Sequence, residues 1–118
     1  MSSNVVTPAQ VEKRLYDLSK LVDEAHEYFA STEHKYQTTK AEYEIAMAKS
    51  KIKNSHPDLK MTVALGEATA VVENQDLRRA LAIAEAEVKA AKENSNRIRT
   101  QVDIARSISV SVRASMEV

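Results

Sequence analysis

Between Pro8 and Pro57 the sequence contains neither proline nor glycine, and this absence restricts the possible folds more than any other feature. The whole chain of 118 residues holds one glycine and two prolines. Folds with many tight turns, such as sandwiches, barrels and βαβ units, depend on these residues and are disfavoured. A charged fraction of 29% beside a hydrophobic fraction of 43% is not typical of disorder. We therefore expect an all-α fold of long helices.

The first helix is predicted over residues 8–54, after a flexible leader at 1–7. Thr7 is a suitable N-cap, Pro8 suits the first helical position, and Gln10 can complete a capping box. No helix breaker follows for roughly 45 residues, which corresponds to about 70 Å of helix.

The one strong break is a basic turn predicted at residues 55–60. Pro57 disfavours helix at the residue before it, and asparagine, serine and aspartate surround it. A second helix is predicted over 61–116. Gly66 near its start costs about 1 kcal/mol relative to alanine, which a packed helix tolerates. Residues 94–96, Asn-Ser-Asn, form a softer weak point where a bend is possible.

Both helices carry a seven-residue repeat of apolar or small side chains, which is the pattern of a coiled-coil seam. On the first helix the seam comprises Val11, Leu15, Leu18, Val22, Ala25, Phe29, Thr32, Tyr36, Thr39, Tyr43 and Ala46. On the second it comprises Leu77, Leu81, Ala84, Val88, Ala91, Ser95, Ile98, Val102, Ala105, Ser109, Val112 and Met116. The chain is thus predicted to be one domain, 1–118, folded as a long antiparallel helical hairpin. A fold at residues 56–58 pairs Tyr36 with 77–80 and Tyr43 with 70–72.

Two helices bury only one stripe each, so we expect a homo-oligomer. Further apolar residues lie off the seams: Leu21, Ile45, Met47, Ile52, Val72, Ile83, Ile104, Ile108 and Val110. Residues beyond about 107 are predicted to extend past the start of the first helix, so that 104–118 packs between protomers. The predicted oligomerisation residues are Ile98, Val102, Ile104, Ile108, Val112 and Met116. The alternation at 108–112 leaves a short strand as the alternative to helix.

No catalytic motif is present: the chain lacks a P-loop, a G-x-G-x-x-G and a G-x-S-x-G sequence. It has no cysteine, and His26, His34 and His56 lack the spacing of metal ligands. We expect no enzyme activity, no metal and no cofactor.

Charge is segregated along a chain whose formal net charge is zero. Residues 49–60 hold Lys49, Lys51, Lys53 and Lys60 against one acid, and residues 89–118 hold six cations against three acids. Two acidic stretches, 1–48 and 61–88, account for the balance. Repeated around an oligomer, the basic zones would attract a polyphosphate backbone. The alternatives are solvated lysines at a helix C-terminus and salt bridges between subunits. Tyr36 and Tyr43 could stack on bases, although their seam positions favour core packing.

The sequence resembles small helical proteins of tailed bacteriophages and is similar in layout to the UvsY-like recombination mediators of T-even phages. The resemblance rests on YQTTKAEYEIAMAKSK at 36–51, KMTVALGE at 60–67, LRRALAIAEAEVKAAK at 77–92 and RIRTQVDIARSI at 97–108. It implies a homo-oligomeric ring that binds single-stranded DNA and helps a RecA-like recombinase displace single-strand-binding protein. It places DNA contacts at Lys49, Lys51 and Lys53, and oligomerisation at about 98–116.

The predicted function is therefore a mediator-like protein that binds single-stranded DNA through Lys49, Lys51, Lys53, Lys60, Arg97 and Arg99. The alternative is a phage structural or assembly protein, or a host-protein-binding coiled-coil adaptor, without affinity for nucleic acid. No signal peptide or membrane span is recognisable, so we expect a location in the cytoplasm of the host cell.

Overall fold

The computed structural model describes residues 6–55, 58 and 61–116, which form three α-helices. Helix α1 spans Pro8–Asn54, α2 spans Val63–Glu73 and α3 spans Gln75–Met116. The two long helices, α1 and α3, pack antiparallel. The all-α class and the antiparallel pairing are thereby confirmed, while the homo-oligomer stays a prediction.

Helix α1 covers the residues that the sequence predicts and begins with a capping box. The backbone N–H of Thr7 donates to Gln10 Oε1 at 3.0 Å, and the Gln10 N–H donates to Thr7 Oγ1 at 3.2 Å. This reciprocal pair satisfies two donors that a helix start leaves without a partner. Residues 1–5 of the predicted leader, and residues 56, 57, 59 and 60 of the predicted basic turn, lie outside the described residues.

The predicted second helix is in fact two helices, separated at Asn74. This residue has φ −110° and ψ 24°, and its N–H donates to the carbonyls of Ala70 and Val71. A polar residue whose side chain bonds back to the preceding turn offers the backbone an alternative to helix, which explains the break. By contrast, residues 94–96 are helical and lie within the uninterrupted α3.

The chain divides into two compact units, each containing parts of α1 and α3. The terminal unit comprises residues 1–30 and 90–118, and the turn unit comprises residues 31–89. In the terminal unit the first part of α1 packs against the last part of α3. In the turn unit the last part of α1 packs against α2 and the first part of α3. The assignment of the whole chain to a single domain stays a prediction.

The predicted seams form the core of both units. Every seam residue on α1, from Val11 to Ala46, is buried or half-buried, as is every seam residue on α3 from Leu77 to Val112. Leu18 is the largest side chain that is completely buried. Only Met116 departs from the pattern, with 66% of its surface exposed. Helix α2 adds two buried residues, Gly66 and Ala70, to the same seam.

The predicted register is wrong by about one seven-residue repeat. Tyr43 lies beside Arg78, whose Nη1 donates to the tyrosine hydroxyl at 3.5 Å, and not beside residues 70–72. Likewise Lys35 pairs with Glu87 at 3.2 Å. The cause is the connection after α1: it reaches Val63 before α2 begins, so the buried Asn54 packs against Gly66. The reversal is therefore later in the chain than residues 56–58.

The C-terminal end of the chain is helical through Met116, so the strand alternative at 108–112 is wrong. The predicted extension of α3 beyond α1 is also wrong as far as Val112. This side chain is half-buried and lines the same small groove as Pro8 and Val11. The off-seam apolar residues lie on the surface, except Met47, which is half-buried.

Candidate nucleic-acid interface

The lysines predicted to bind DNA lie at the end of α1, in the turn unit. Lys49, Lys51 and Lys53 are all exposed. Lys53 forms an ion pair with Glu73 of α2 at 3.6 Å. Within the described residues, Lys49 and Lys51 have no acidic partner within 4.0 Å. Lys60 lies outside the described residues.

Acidic residues dilute the positive charge of this end of α1. Lys51 lines a groove of about 370 Å³ together with Glu67, and Lys53 is already paired with Glu73. An exposed ion pair of this kind contributes little to stability, but it lowers the net attraction for phosphate. Lys49 and Lys51 are thus the lysines here without an acidic partner among the described residues, which is a small site for a polyanion.

The two tyrosines considered as stacking platforms are held within the turn unit. Tyr36 and Tyr43 are both half-buried, as their seam positions predict. The Arg78 guanidinium lies 5.8 Å from the centre of the Tyr43 ring, within the range of a cation–π contact. This arginine lies over the face of Tyr43 on which a base would stack, and Tyr36 is half-buried at a seam position, so we assign both tyrosines to packing.

The two arginines predicted to bind DNA differ in their surroundings. Arg97 and Arg99 are both exposed on α3, in the terminal unit. Arg97 Nη2 donates to Asn94 Oδ1 at 2.8 Å, whereas no such contact involves Arg99 among the described residues. The two side chains also lie on different faces of the helix, since two residues correspond to about 200° of rotation.

Arg99 belongs to a line of four cations along α3 that we call the basic ridge. Its members follow one another at intervals of seven residues: Lys92, Arg99, Arg106 and Arg113. Each comes directly after a buried or half-buried seam residue, namely Ala91, Ile98, Ala105 and Val112. All four therefore lie along one edge of the seam, at intervals of about 10 Å.

The basic ridge is exposed and has little acidic counterpart. None of its four cations forms an ion pair within 4.0 Å among the described residues. Across the seam, Arg106 lines a groove with Ser19, and Arg113 lines another with Glu12. Glu12 is thus a carboxylate that shares a groove with the ridge, and Asp103 lies four residues after Arg99 and three before Arg106 on the same helix.

Sequence reasoning placed Arg99 among the DNA contacts but missed Lys92, Arg106 and Arg113. It counted them only in the charge of the C-terminal region. The signal that finds them is positional: each immediately follows a seam residue, and helical residues seven apart share a face. A line of evenly spaced, unpaired cations can bind the backbone of a flexible polyanion without reading its sequence.

The six residues predicted to drive oligomerisation fall into two groups. Ile98 is only 7% exposed, and its burial is within the chain's own terminal unit. Val102 and Val112 are half-buried on the same seam. Ile104, Ile108 and Met116 are 55%, 45% and 66% exposed. Of the six residues, only Ile104, Ile108 and Met116 are exposed and can pack against another molecule.

The described residues were also compared with what a metal site and a membrane-spanning helix require. His26 and His34 are exposed, His56 lies outside the described part, and the remainder contains no group of three metal-ligating side chains. None of the described helices combines the length and apolar character needed to cross a bilayer.

Comparison with known proteins gives no relative from which a function could be inferred. The chain matches no protein-family model, no curated protein and no solved structure at a significant level. The similarity to UvsY-like mediators remains a resemblance in the motifs quoted above.

Proposed function

We propose that this protein is a non-enzymatic helical protein that binds single-stranded DNA through the basic ridge. The observation that carries the proposal is the alignment of Lys92, Arg99, Arg106 and Arg113 on one exposed edge without ion-pair partners in the described chain. Within the described residues, these cations therefore have no ion pair to break when they bind phosphate.

The chemistry favours single-stranded over double-stranded DNA. The spacing of about 10 Å along a straight helix edge exceeds one phosphate interval, so a flexible strand can adjust its path from cation to cation. All four members of the ridge are cations, and contacts from cations to phosphates position a nucleic acid without reading its bases. Binding is thus independent of sequence and falls steeply as the salt concentration rises.

Lys49, Lys51 and Lys53 form a second, weaker contact in this proposal. Together with the resemblance, DNA binding leads to the further proposal that the protein assists loading of a RecA-like recombinase. In that role it would act on DNA covered by single-strand-binding protein.

The test is fluorescence anisotropy with a labelled single strand of about 40 nucleotides across a series of salt concentrations. Four phosphate contacts predict a slope of log affinity against log salt of about −2.8, since each contributes about −0.7 on single strands. Arg99→Gln and Arg106→Gln should each make the slope shallower by about 0.7. Lys13→Gln removes the same charge from α1, away from the ridge, and serves as the matched control.

The variants separate the possible results. Loss of slope in Arg99→Gln and Arg106→Gln, with Lys13→Gln unchanged, supports the ridge. Loss only in Lys49→Gln and Lys51→Gln shifts the contact to the end of α1 and overturns the ridge as the binding site. No binding at low salt, in protein that remains helical by circular dichroism, overturns DNA binding altogether.

The second candidate is a structural, assembly or adaptor protein without affinity for nucleic acid. It is favoured by large apolar side chains on the surface, among them Val72, Ile83 and Ile104, at 65%, 58% and 55% exposure. Such residues mark protein interaction sites when they are contiguous. Under this reading, substitutions of the ridge have no effect on partner binding, whereas substitutions of exposed isoleucines abolish it.

A further inference from the structure

The terminal unit has an apolar groove on the opposite edge of the α3 seam from the basic ridge. The groove has a volume of about 880 Å³ and includes Val6 and Pro8 at the start of α1. On α3 the lining includes Asp103 and a row of four further residues, Ile104, Ile108, Ser111 and Ser115. We call these four residues the C-terminal stripe, and all of them are exposed.

We propose that the groove binds the same groove of a second copy of this chain, with the two α3 helices packed antiparallel. The proposal does not depend on DNA binding. The proposed contact does not include all of the oligomerisation residues predicted from the sequence. Ile98 and Val102 are excluded because they face the chain's own core.

The position of the stripe suits a second helix interface. Each member immediately precedes a seam residue: Ala105, Ser109, Val112 or Met116. One residue corresponds to about 100° of rotation, so α3 carries two packing faces nearly at right angles. This is the arrangement of a helix in a four-helix bundle, in which each helix contacts two neighbours. Two copies together supply the four helices.

Charge identifies another copy as the occupant. Between Ile104 and Met116 the only charged residues are Arg106 and Arg113, both on the ridge side, and Asp103 is the one charged residue in the lining of the groove, next to the end of the stripe. The stripe therefore carries no charge to select a charged partner helix, and a mate must itself present an uncharged face. The stripe of a second copy is such a face.

Size complementarity selects the antiparallel register. When Ile104 faces Ser115 of the other copy, Ile108 faces Ser111, so that a large side chain meets a small one in every layer. A parallel pair would place isoleucine against isoleucine and serine against serine, alternating crowded and empty layers. The residues before Val6 are a poorer occupant: they include only Met1 and Val5 as apolar side chains, and an extended segment leaves backbone groups unpaired.

The first experiment measures mass by light scattering after size exclusion, over about a hundredfold range of protein concentration. The unmodified protein should form a dimer or a multiple of one. Ile108→Asp should raise the dissociation constant at least about 30-fold, since it places a carboxylate in the centre of the contact. Val110→Asp is the matched control, because Val110 is 66% exposed on the same helix and lies off the stripe. Mixing Ile108→Asp with Ile108→Arg should restore the dimer, which a folding defect would not allow.

The second experiment determines the relative orientation of the two α3 helices by disulfide formation. The chain has no cysteine of its own, so only the introduced cysteines can react. An equal mixture of Ile104→Cys and Ser115→Cys should give the mixed disulfide. Ser115→Cys alone should not cross-link within a dimer, because the two sites lie about 16 Å apart along an antiparallel pair. Efficient cross-linking of Ser115→Cys with itself would overturn the antiparallel register. A monomer at every concentration, or equal effects of Ile108→Asp and Val110→Asp, would overturn the interface.

Discussion

The side-chain amide of Asn74 donates a 2.9 Å hydrogen bond to the hydroxyl of Ser50, joining the break between α2 and α3 to the end of α1. The same amide donates to the Ala70 carbonyl at 2.8 Å, so both of its hydrogens are used. Asn74 continues the seam spacing between Ala70 and Leu77. A polar residue at a seam position fixes the register of paired helices because only one alignment gives it a partner.

We predict that Asn74→Ala lowers the free energy of unfolding by about 1 kcal/mol, since it leaves the half-buried Ser50 hydroxyl without this donor. Asn96→Ala is the control. Asn96 is exposed in the middle of α3, and alanine there should stabilise the helix by up to about 0.6 kcal/mol. Urea unfolding followed by circular dichroism measures both. Similar effects of the two substitutions would contradict the importance of the Asn74–Ser50 bond.

Gly66→Ala should stabilise the turn unit by up to about 1 kcal/mol, the gain in helix propensity. A Cβ atom at Gly66 would lie 3.6 Å from Asn54 Cβ and 3.6 Å from the Asn54 carbonyl oxygen, which is ordinary contact. Gly66→Leu should instead destabilise, because a longer side chain has to displace the buried Asn54. Thermal unfolding of the two variants tests the prediction. A lower melting temperature for Gly66→Ala would show that the approach of the two helices is tighter than these distances.

Leu18→Ala should cost about 2–4 kcal/mol, because it opens a cavity at a completely buried site of the terminal unit. Leu21→Ala is the matched control: the same truncation, nearly one turn further along α1, at a residue that is 39% exposed. Hydrogen exchange measured by mass spectrometry should show faster exchange in residues 8–30 for Leu18→Ala only. Equal destabilisation by both variants would mean that another molecule covers Leu21 in solution.

Ser19→Glu should affect stability and DNA binding in opposite directions. Ser19 and Arg106 line one groove, so the new carboxylate can pair with a ridge cation and stabilise the protein by about 0.3–1 kcal/mol. The same pair removes Arg106 from the phosphates and should make the salt slope for DNA shallower by about 0.7. Unfolding and anisotropy measurements on one preparation test both effects. Unchanged DNA affinity in a stabilised variant would count against the ridge.

Local features of this chain could be predicted from its sequence. The capping box at Thr7 and Gln10, the bounds of α1 and the burial of both seams follow from residue types and seven-residue spacing. The break at Asn74 was not predicted, because asparagine is tolerated within helices and its effect here depends on Ser50 and Ala70. Of the candidate site, Arg99 was predicted, while the other three members of the basic ridge were not.

The sequence by itself determined that this protein is made of long helices and which stripe of each helix is buried. Both follow from short-range rules: helix breakers are rare, and apolar side chains repeat with the helical period. Only the tertiary structure decided which part of α3 faces which part of α1. A shift of one seven-residue repeat again matches seam with seam, so periodicity cannot distinguish the alternatives. The closure of the connection to Val63 and the contacts Asn54–Gly66 and Ser50–Asn74 make the choice.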